Sequence, residues 1–400
     1  VSEEKAQTLG LGRVAGLEKH IRHYRNGRDL TARPRNAMVI DLYGVKLTRL
    51  KSAYQEVYQY LLESVWPERK VNRDRSFRDN WWVFGRPRSE FRPALVGLPR
   101  YISTVETAKH RTFVFHDAEI LPDNKLINIA VEDAAFLGVL SSRIHVDWAL
   151  AVQSTLGPTP VYVKTRCFDP FPFPVMTDAQ AGVLWDLGER LDAHRKRQLD
   201  LHPKLTLTGM YNVVEAVRAI DRGERGPLDT KERAIHEQGL VSILIDLHDQ
   251  IDLATADAYG WPHDLSTQEI LGRLVALNAE RVVEEARGLV RWLRPDYQNP
   301  AGATVEALSQ AVQSEIELTH ADAPLPGAAP WPKTPGDQVT AIRQIVLSAP
   351  HPLSASDIAQ RFRLGRTADA KRARIADHLA ILESLGQIRP ADDAHSRFAG

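Results

Sequence analysis

The chain has 400 residues, 43% apolar and 26% charged, which is ordinary for two or three folded domains and unlike a disordered chain. No apolar run approaches the roughly 18 residues of a membrane helix, and the single cysteine, Cys167, excludes an internal disulfide and a cysteine-based zinc site. The formal net charge of zero hides a basic front: residues 1–112 hold 22 Lys+Arg against 12 Asp+Glu, and residues 113–400 hold 29 against 39. That asymmetry points to a polyanion partner, or to a solvated basic face offset by acidic helices.

The chain starts at Val1 with no initiator Met and no signal pattern, so it reads as part of a longer protein with a segment upstream. A reducing, cytoplasmic setting is expected. Residues 1–36 are polar and basic and contain the turn-like run Asn26-Gly27-Arg28-Asp29. Residues 37–43 predict a buried strand. Leu47, Leu50, Tyr54, Val57, Leu61, Leu62 and Val65 recur at helical spacing and predict one amphipathic helix over 47–65, stopped by Pro67. A charged stretch over 68–80 leads into Trp81-Trp82-Val83-Phe84-Gly85. In an extended chain the two tryptophans would point to opposite faces.

From 98 to 140 the pattern shifts to short segments separated by Asp, Pro and Asn turns. Candidate strands are 100–105, 112–116, 126–131 and 136–140, although 137–152 fits a helix equally well. A strand over 159–166 follows, and then the proline-rich stop Asp169-Pro-Phe-Pro-Phe-Pro174, taken as the end of a β-rich domain. Residues 177–296 read as four helices: one capped by Thr177, then 209–221, 228–254, and 266–293 with Ser266 and Glu269 as a capping box. Residues 301–336 read as a linker rich in Pro, Ala and Gly. Residues 337–400 predict three helices and a hairpin, the order of a winged helix. Its third-helix region carries Arg361, Arg363, Arg366, Lys371, Arg372 and Arg374, which suit either a DNA groove or a protein-binding winged helix.

Catalytic motifs are missing. The run Gly10-Leu-Gly12-Arg-Val-Ala-Gly16 has the wrong spacing for a dinucleotide loop, and no phosphate loop, nucleophile elbow or His-Glu-x-x-His occurs. His110 and His116 share a strand region but have no carboxylate partner nearby in sequence, so both read as satisfied histidines. Pro122-Asp123 lacks the Glu-x-Lys of a metal nuclease, because Tyr162 stands two residues before Lys164.

Binding chemistry is present. Residues 73–111 interleave Arg73, Arg75, Arg78, Arg86, Arg88, Arg92, Arg100, Lys109 and Arg111 with Phe77, Trp81, Trp82, Phe84, Phe91 and Tyr101. Arginine grips phosphates or reads guanine edges, and aromatics stack bases or pack a core. Core packing is the plainer reading of the aromatics, but the arginines are harder to place inside. Lys164 and Arg166 would share one side of a strand, and Arg143 sits beside Ser141-Ser142.

At these residues the chain resembles large bacterial adenine-specific DNA methyltransferases of the MmeI-like type. The blocks that carry the resemblance begin with Tyr24-Arg-Asn-Gly-Arg-Asp-Leu30, the run Trp81 to Arg92, and Gly97-Leu-Pro-Arg-Tyr-Ile-Ser. They continue with Ile120-Leu-Pro-Asp-Asn-Lys125, the run Leu137 to Trp148, and Lys164 to Pro174. Tyr259-Gly-Trp-Pro262 and Arg291 to Pro300 complete a string that spans about residues 11–300. The resemblance implies methyl transfer from S-adenosylmethionine to adenine in a specific double-stranded DNA site, within restriction-modification or phage defence. Such enzymes need a Gly-containing cofactor loop and an Asn/Asp-Pro-Pro-Tyr/Phe motif. Neither is in this chain, where Asn299-Pro300 is followed by Ala301. The chain therefore looks like the recognition half, with no catalytic, cofactor or metal residue of its own and with a methyltransferase domain upstream as partner.

The expected fold is α+β. It divides into a lead-in (1–36), a β-rich DNA target-recognition domain (37–175), a helical domain (176–300), a linker (301–336) and a winged-helix-like module (337–400). Arg86, Arg88, Lys109, Arg111, Arg143, Lys164 and Arg166 are the expected DNA contacts. The alternative is a non-catalytic protein-interaction scaffold or a stand-alone DNA-binding subunit.

Overall fold

The computed structural model describes residues 1–300, 329–332, 334–349, 352–359, 361–363, 368–384, 387–390 and 397–399. The chain forms two compact units, Val1–Val305 and Glu306–Gly400, and combines helices with small sheets as an α+β fold. The expected linker lies outside the described residues as far as 328.

The first unit opens with α1 (Glu3–Thr8), β1 (Ile21–Arg25), α2 (Gly27–Thr31) and β2 (Met38–Ile40), the last inside the predicted strand. The single helix expected over 47–65 is two, α3 (Leu47–Ala53) and α4 (Gln55–Ser64). They break at Tyr54 (φ −131°, ψ 60°), whose buried side chain lies among Leu50, Val57 and Leu61 in one apolar cluster. Pro67 does not stop a helix but sits in the first turn of α5 (Trp66–Arg69), where its missing N–H has no helical partner to lose. After α6 (Arg75–Asp79), Trp81 and Trp82 lie in a turn, not an extended chain. Trp81 is buried against Tyr58 and Trp66, and Trp82 Nε1 donates to the Val45 carbonyl at 2.8 Å. Both tryptophans therefore pack a core.

Beyond α7 (Phe91–Ala94) come β3 (Arg100–Val105), β4 (Val114–Asp117), β5 (Leu121–Pro122) and β6 (Leu126–Ile129). β3 is the centre of an antiparallel sheet ordered β4-β3-β6, with Ile102 opposite both Phe115 and Ile129. β5 leaves that sheet and pairs in parallel with β1, which joins the lead-in to the segment that follows it. The open choice at 137–152 resolves to helix: α8 (Ala134–Ser141) and α9 (Arg143–Val152), broken at Ser142, which caps α9. Nearly every residue of α8 is buried, and an apolar run without a polar face imitates a buried strand. β7 (Ser154–Leu156) and β8 (Thr159–Val161) form a hairpin. The strand expected to reach 166 stops at Val161, and Lys164–Phe168 is a π-helical turn.

The helical stretch contains α10 (Asp178–Leu201), α11 (Leu207–Asp221), α12 (Thr230–Gly239), α13 (Val241–Tyr259), α14 (Thr267–Ala286) and the single turn α15 (Pro295–Gln298). Thr177 and Ser266 cap α10 and α14 through capping boxes with Gln180 and Glu269. The helix expected over 228–254 divides at Leu240, which adopts a left-handed conformation (φ 45°). Leu30, Val105 and Leu126 pack in one cluster with Leu187, Leu191, Met210, Leu244 and Leu247. The division expected at 175 therefore runs through a shared core. Among the described residues no single helix is long and apolar enough to cross a membrane.

In the second unit, helices Pro335–Ser348, Ala355–Ala359 and Ala368–Ser384 enclose Ile342, Ile358, Ile375, Leu379 and Phe398. Arg397–Ala399 lies between Leu353–Ser354 and Arg389–Pro390 in an antiparallel sheet. Arg361 and Arg374 are exposed. Arg366 and the side chains of Arg363, Lys371 and Arg372 lie outside what the structure describes.

Candidate nucleic-acid interface

The connection from β3 to β4 is held on both sides by backbone bonds. Glu106 N donates to Lys125 O (2.9 Å), Tyr162 N to Glu106 O (2.7 Å) and Ala108 N to Pro160 O (3.3 Å). These bonds fix Lys109 and His110 over α11. Lys109 Nζ lies 3.0 Å from a Glu215 carboxylate oxygen and donates to Asn212 Oδ1 at 2.7 Å. His110 sits 3.1 Å from Glu215 through Nδ1 and 2.8 Å from Asn212 Oδ1 through Nε2. His110 thus has the carboxylate that its sequence neighbourhood lacked, supplied 105 residues further along the chain.

An open cleft of about 450 Å³ lies beside this cluster, walled by α2, the β3–β4 connection and the start of α11. Gly27 admits the close approach of α2 to β3, since a Cβ there would stand 3.0 Å from Val105 Cγ1. A capping box between Asn26 and Asp29 and the Asp29–Arg35 ion pair (2.8 Å) fix α2. Arg28, exposed at the cleft, has no side-chain hydrogen bond or ion pair among the described residues.

The expected DNA contacts fall into three groups. Arg86 and Arg88 are exposed and unpaired among the described residues, as is Arg73. Arg88 O accepts from Phe91 N at 3.1 Å, and Phe91 packs edge-on against Tyr101 near the start of β3. Lys109 lies beyond the strand's other end, Val105, roughly 17 Å from its start at about 3.3 Å per residue. Lys109 and Arg166 are linked through the β7–β8 hairpin: Thr107 bridges Val161, Val161 pairs with Ser154, and Arg166 donates to Ser154 Oγ at 3.3 Å. Lys164 pairs with Asp169 at 3.3 Å. In a π turn Lys164 and Arg166 do not share a strand face, which corrects that expectation.

Arg111 and Arg143 are committed to the protein's own groups, Arg111 in the interior and Arg143 at the surface. Arg111 donates to Thr104 Oγ1 (3.0 Å) and the Val105 carbonyl, and its guanidinium lies 4.8 Å from the Tyr162 ring centre. Burial pushes the guanidinium down to about 10. Behind it Tyr162 OH meets His145 Nε2 at 3.0 Å, and burial keeps that imidazole neutral, pushed down to about 3. Arg143 pairs with Asp147 (3.3 Å) and donates to Leu265 O (3.0 Å) and Thr267 Oγ1 (3.2 Å), clamping α9 to the start of α14. Other arginines of the basic stretch are fixed in the same way. Arg92 pairs with Asp41 at 2.6 Å, and Arg100 grips Glu189 and lies over Phe115.

The sequence reading missed Arg28, Asn212 and Glu215. The Asn26/Asp29 capping pair was a usable signal for the first, whereas Glu215 gave none, lying on a helix far along the chain. Among the described residues no group of three or more His, Cys, Asp or Glu is placed to hold a metal ion.

No protein-family model matches the chain, and no curated protein matches it. Among solved structures it is similar to the type IIL restriction-modification enzyme MmeI in complex with DNA, with a TM-score of 0.49 and 15% identity. That likeness covers 70% of this chain and 33% of the other, so the chain spans about a third of that enzyme's length.

Proposed function

We propose that this chain is the DNA-recognition half of a site-specific, S-adenosylmethionine-dependent adenine-N6 DNA methyltransferase of a restriction-modification or phage-defence system, acting in the cytoplasm with a separate catalytic domain. The observation that carries the reading is the split among the arginines of residues 73–111. Arg78, Arg92, Arg100 and Arg111 bind the protein's own carbonyls and carboxylates, while Arg73, Arg86 and Arg88 face solvent without a counter-charge. Cations held out from a fixed scaffold suit a phosphate backbone, which positions a protein before any base is read. The motif blocks of the Trp81 to Arg92 run and of the Lys164 to Pro174 run support the methyltransferase assignment.

The residues present do not fit the cofactor. Asn299-Pro300 closes the four-residue turn α15 and continues to Ala301, with no aromatic to stack a flipped base. S-adenosylmethionine would therefore be held by the separate catalytic domain. In this reading Arg86 and Arg88 contact phosphate at one end of β3, and Lys109, Lys164 and Arg166 do so at the other.

The test is fluorescence anisotropy with duplex DNA across a salt series. Replacing Arg86 and Arg88 together by Ala is expected to weaken binding at least several-fold and to lower the slope of log K against log salt by about 2, near 0.9 per lost phosphate contact. Unchanged affinity and slope would remove both residues from the interface. A second reading, a protein-docking scaffold, draws on the exposed valines Val275, Val282 and Val283 of α14. Absence of duplex binding by the wild-type chain at low salt would favour it.

A further inference from the structure

The cleft beside α2 carries more positive charge than its walls neutralise. Lys109 can only donate, so its contact fixes Asn212 Oδ1 as the atom facing it. His110 Nε2 faces that same oxygen and His110 Nδ1 faces Glu215. Lys109 and the unpaired Arg28 thus stand against one carboxylate, Glu215. Nearby acids are already engaged: Glu106 pairs with Lys125 at 2.8 Å and Asp29 with Arg35. The lining adds hydroxyls from Thr107, Thr112 and Thr159, which can donate to an oxyanion, and contains no carboxylate.

We propose that this cleft grips a phosphate group of the DNA backbone, with Arg28 as the free cation that meets it and Glu215 as a built-in competitor that the phosphate displaces from Lys109. The proposal rests on the DNA-recognition reading and assigns it a second contact point, at the end of β3 away from Arg86 and Arg88. The grip is pre-formed. Gly27 seats α2 on Val105, the capping box fixes the backbone of Arg28, and Lys109 needs only to exchange one oxyanion for another.

Two substitutions with opposite expected signs test the proposal in the full chain, by anisotropy on a labelled duplex over a salt series. Arg28→Ala should weaken binding roughly 3- to 10-fold and flatten the salt slope by about 1, as one lost phosphate contact does. Glu215→Gln should tighten binding several-fold at low salt, and that gain should vanish when Lys109→Ala is added, because Lys109 is what the substitution releases. Thermal melting of each variant checks that it is folded. If Arg28→Ala and Glu215→Gln leave affinity and slope unchanged while the Arg86/Arg88 double variant weakens binding, the cleft is not a contact and the DNA reading stands. If wild-type protein binds no duplex, the reading and the proposal fall together. If deoxynucleoside monophosphate or inorganic pyrophosphate stabilises the wild type against melting, does not stabilise Arg28→Ala, and leaves duplex binding undisturbed, the ligand is a free phosphate compound and the backbone assignment is overturned.

Discussion

Arg111 follows His110 directly, yet its guanidinium turns inward over Tyr162 while its neighbour stays at the cleft. Burial without a carboxylate makes it a costly cation. Its bonds to Thr104 and Val105 offset part of that cost, and Nη2 has no partner. Arg111→Ala is expected to cost about 2–3 kcal/mol in urea unfolding, since it strands those acceptors and uncovers the Tyr162 ring. The same variant should leave the salt slope of DNA binding unchanged, which separates a structural arginine from Arg28. Spacing in the sequence made these cations visible but could not sort them. Whether an arginine is free depends on residues such as Tyr162, Glu189 and Glu215, and only the fold brings those near.

At the scale of elements, α8 and α10 cross at unusually short range because Gly138 and Gly188 face the partner helix. A Cβ on Gly188 would stand 2.2 Å from the Ala134 carbonyl oxygen, and one on Gly138 3.1 Å from that of Leu184. Gly188→Ala is therefore expected to destabilise by roughly 3 kcal/mol or more, through forced separation of the helices. Gly182, on the same helix, meets nothing within 4 Å, and Gly182→Ala should stabilise by about 0.5–1 kcal/mol through helix propensity alone. Chemical denaturation of the two variants side by side checks both signs. Helix starts were legible, because a capping box such as Thr177/Gln180 or Ser266/Glu269 is a local chemical device. Interruptions were not. Tyr54 leaves helical geometry without a glycine or proline beside it, under the demands of packing, Leu240 does so directly after a lone Gly239, and the π turn at Lys164–Phe168 carries no local cue.

Over the whole molecule, acid sensitivity follows from where the histidines lie. His116, His145 and His248 are pushed down to about 3 from an ordinary 6.5 by burial. The unfolded chain binds their protons first, so stability present above 6.5 is lost as the pH falls from there towards 3. Asp252 works in the opposite sense. Burial raises it from 3.8 to about 6, so the folded state takes its proton first and gains stability as the pH falls through that range. At about pH 5 each histidine loses roughly 2 kcal/mol and Asp252 returns about 1.4, so the histidines win by on the order of 4 kcal/mol. Urea unfolding at about pH 7 and about pH 5 should show that loss. His248→Gln should reduce it by about half, since one histidine's roughly 2 kcal/mol comes out of a net loss of about 4.

The cluster that joins Leu30, Val105 and Leu126 to α10, α11 and α13 decides how this chain can be altered. A chimaera spliced at the proline-rich stop near 175 would inherit half of a hydrophobic interior from each parent, and the two halves would have to fit like cut faces of one stone. Grafts confined to the β7–β8 tip around Gly157, where an added Cβ meets nothing, leave that interior whole. New binding preferences in such a scaffold are thus to be sought by exchanging loops rather than by trading domains.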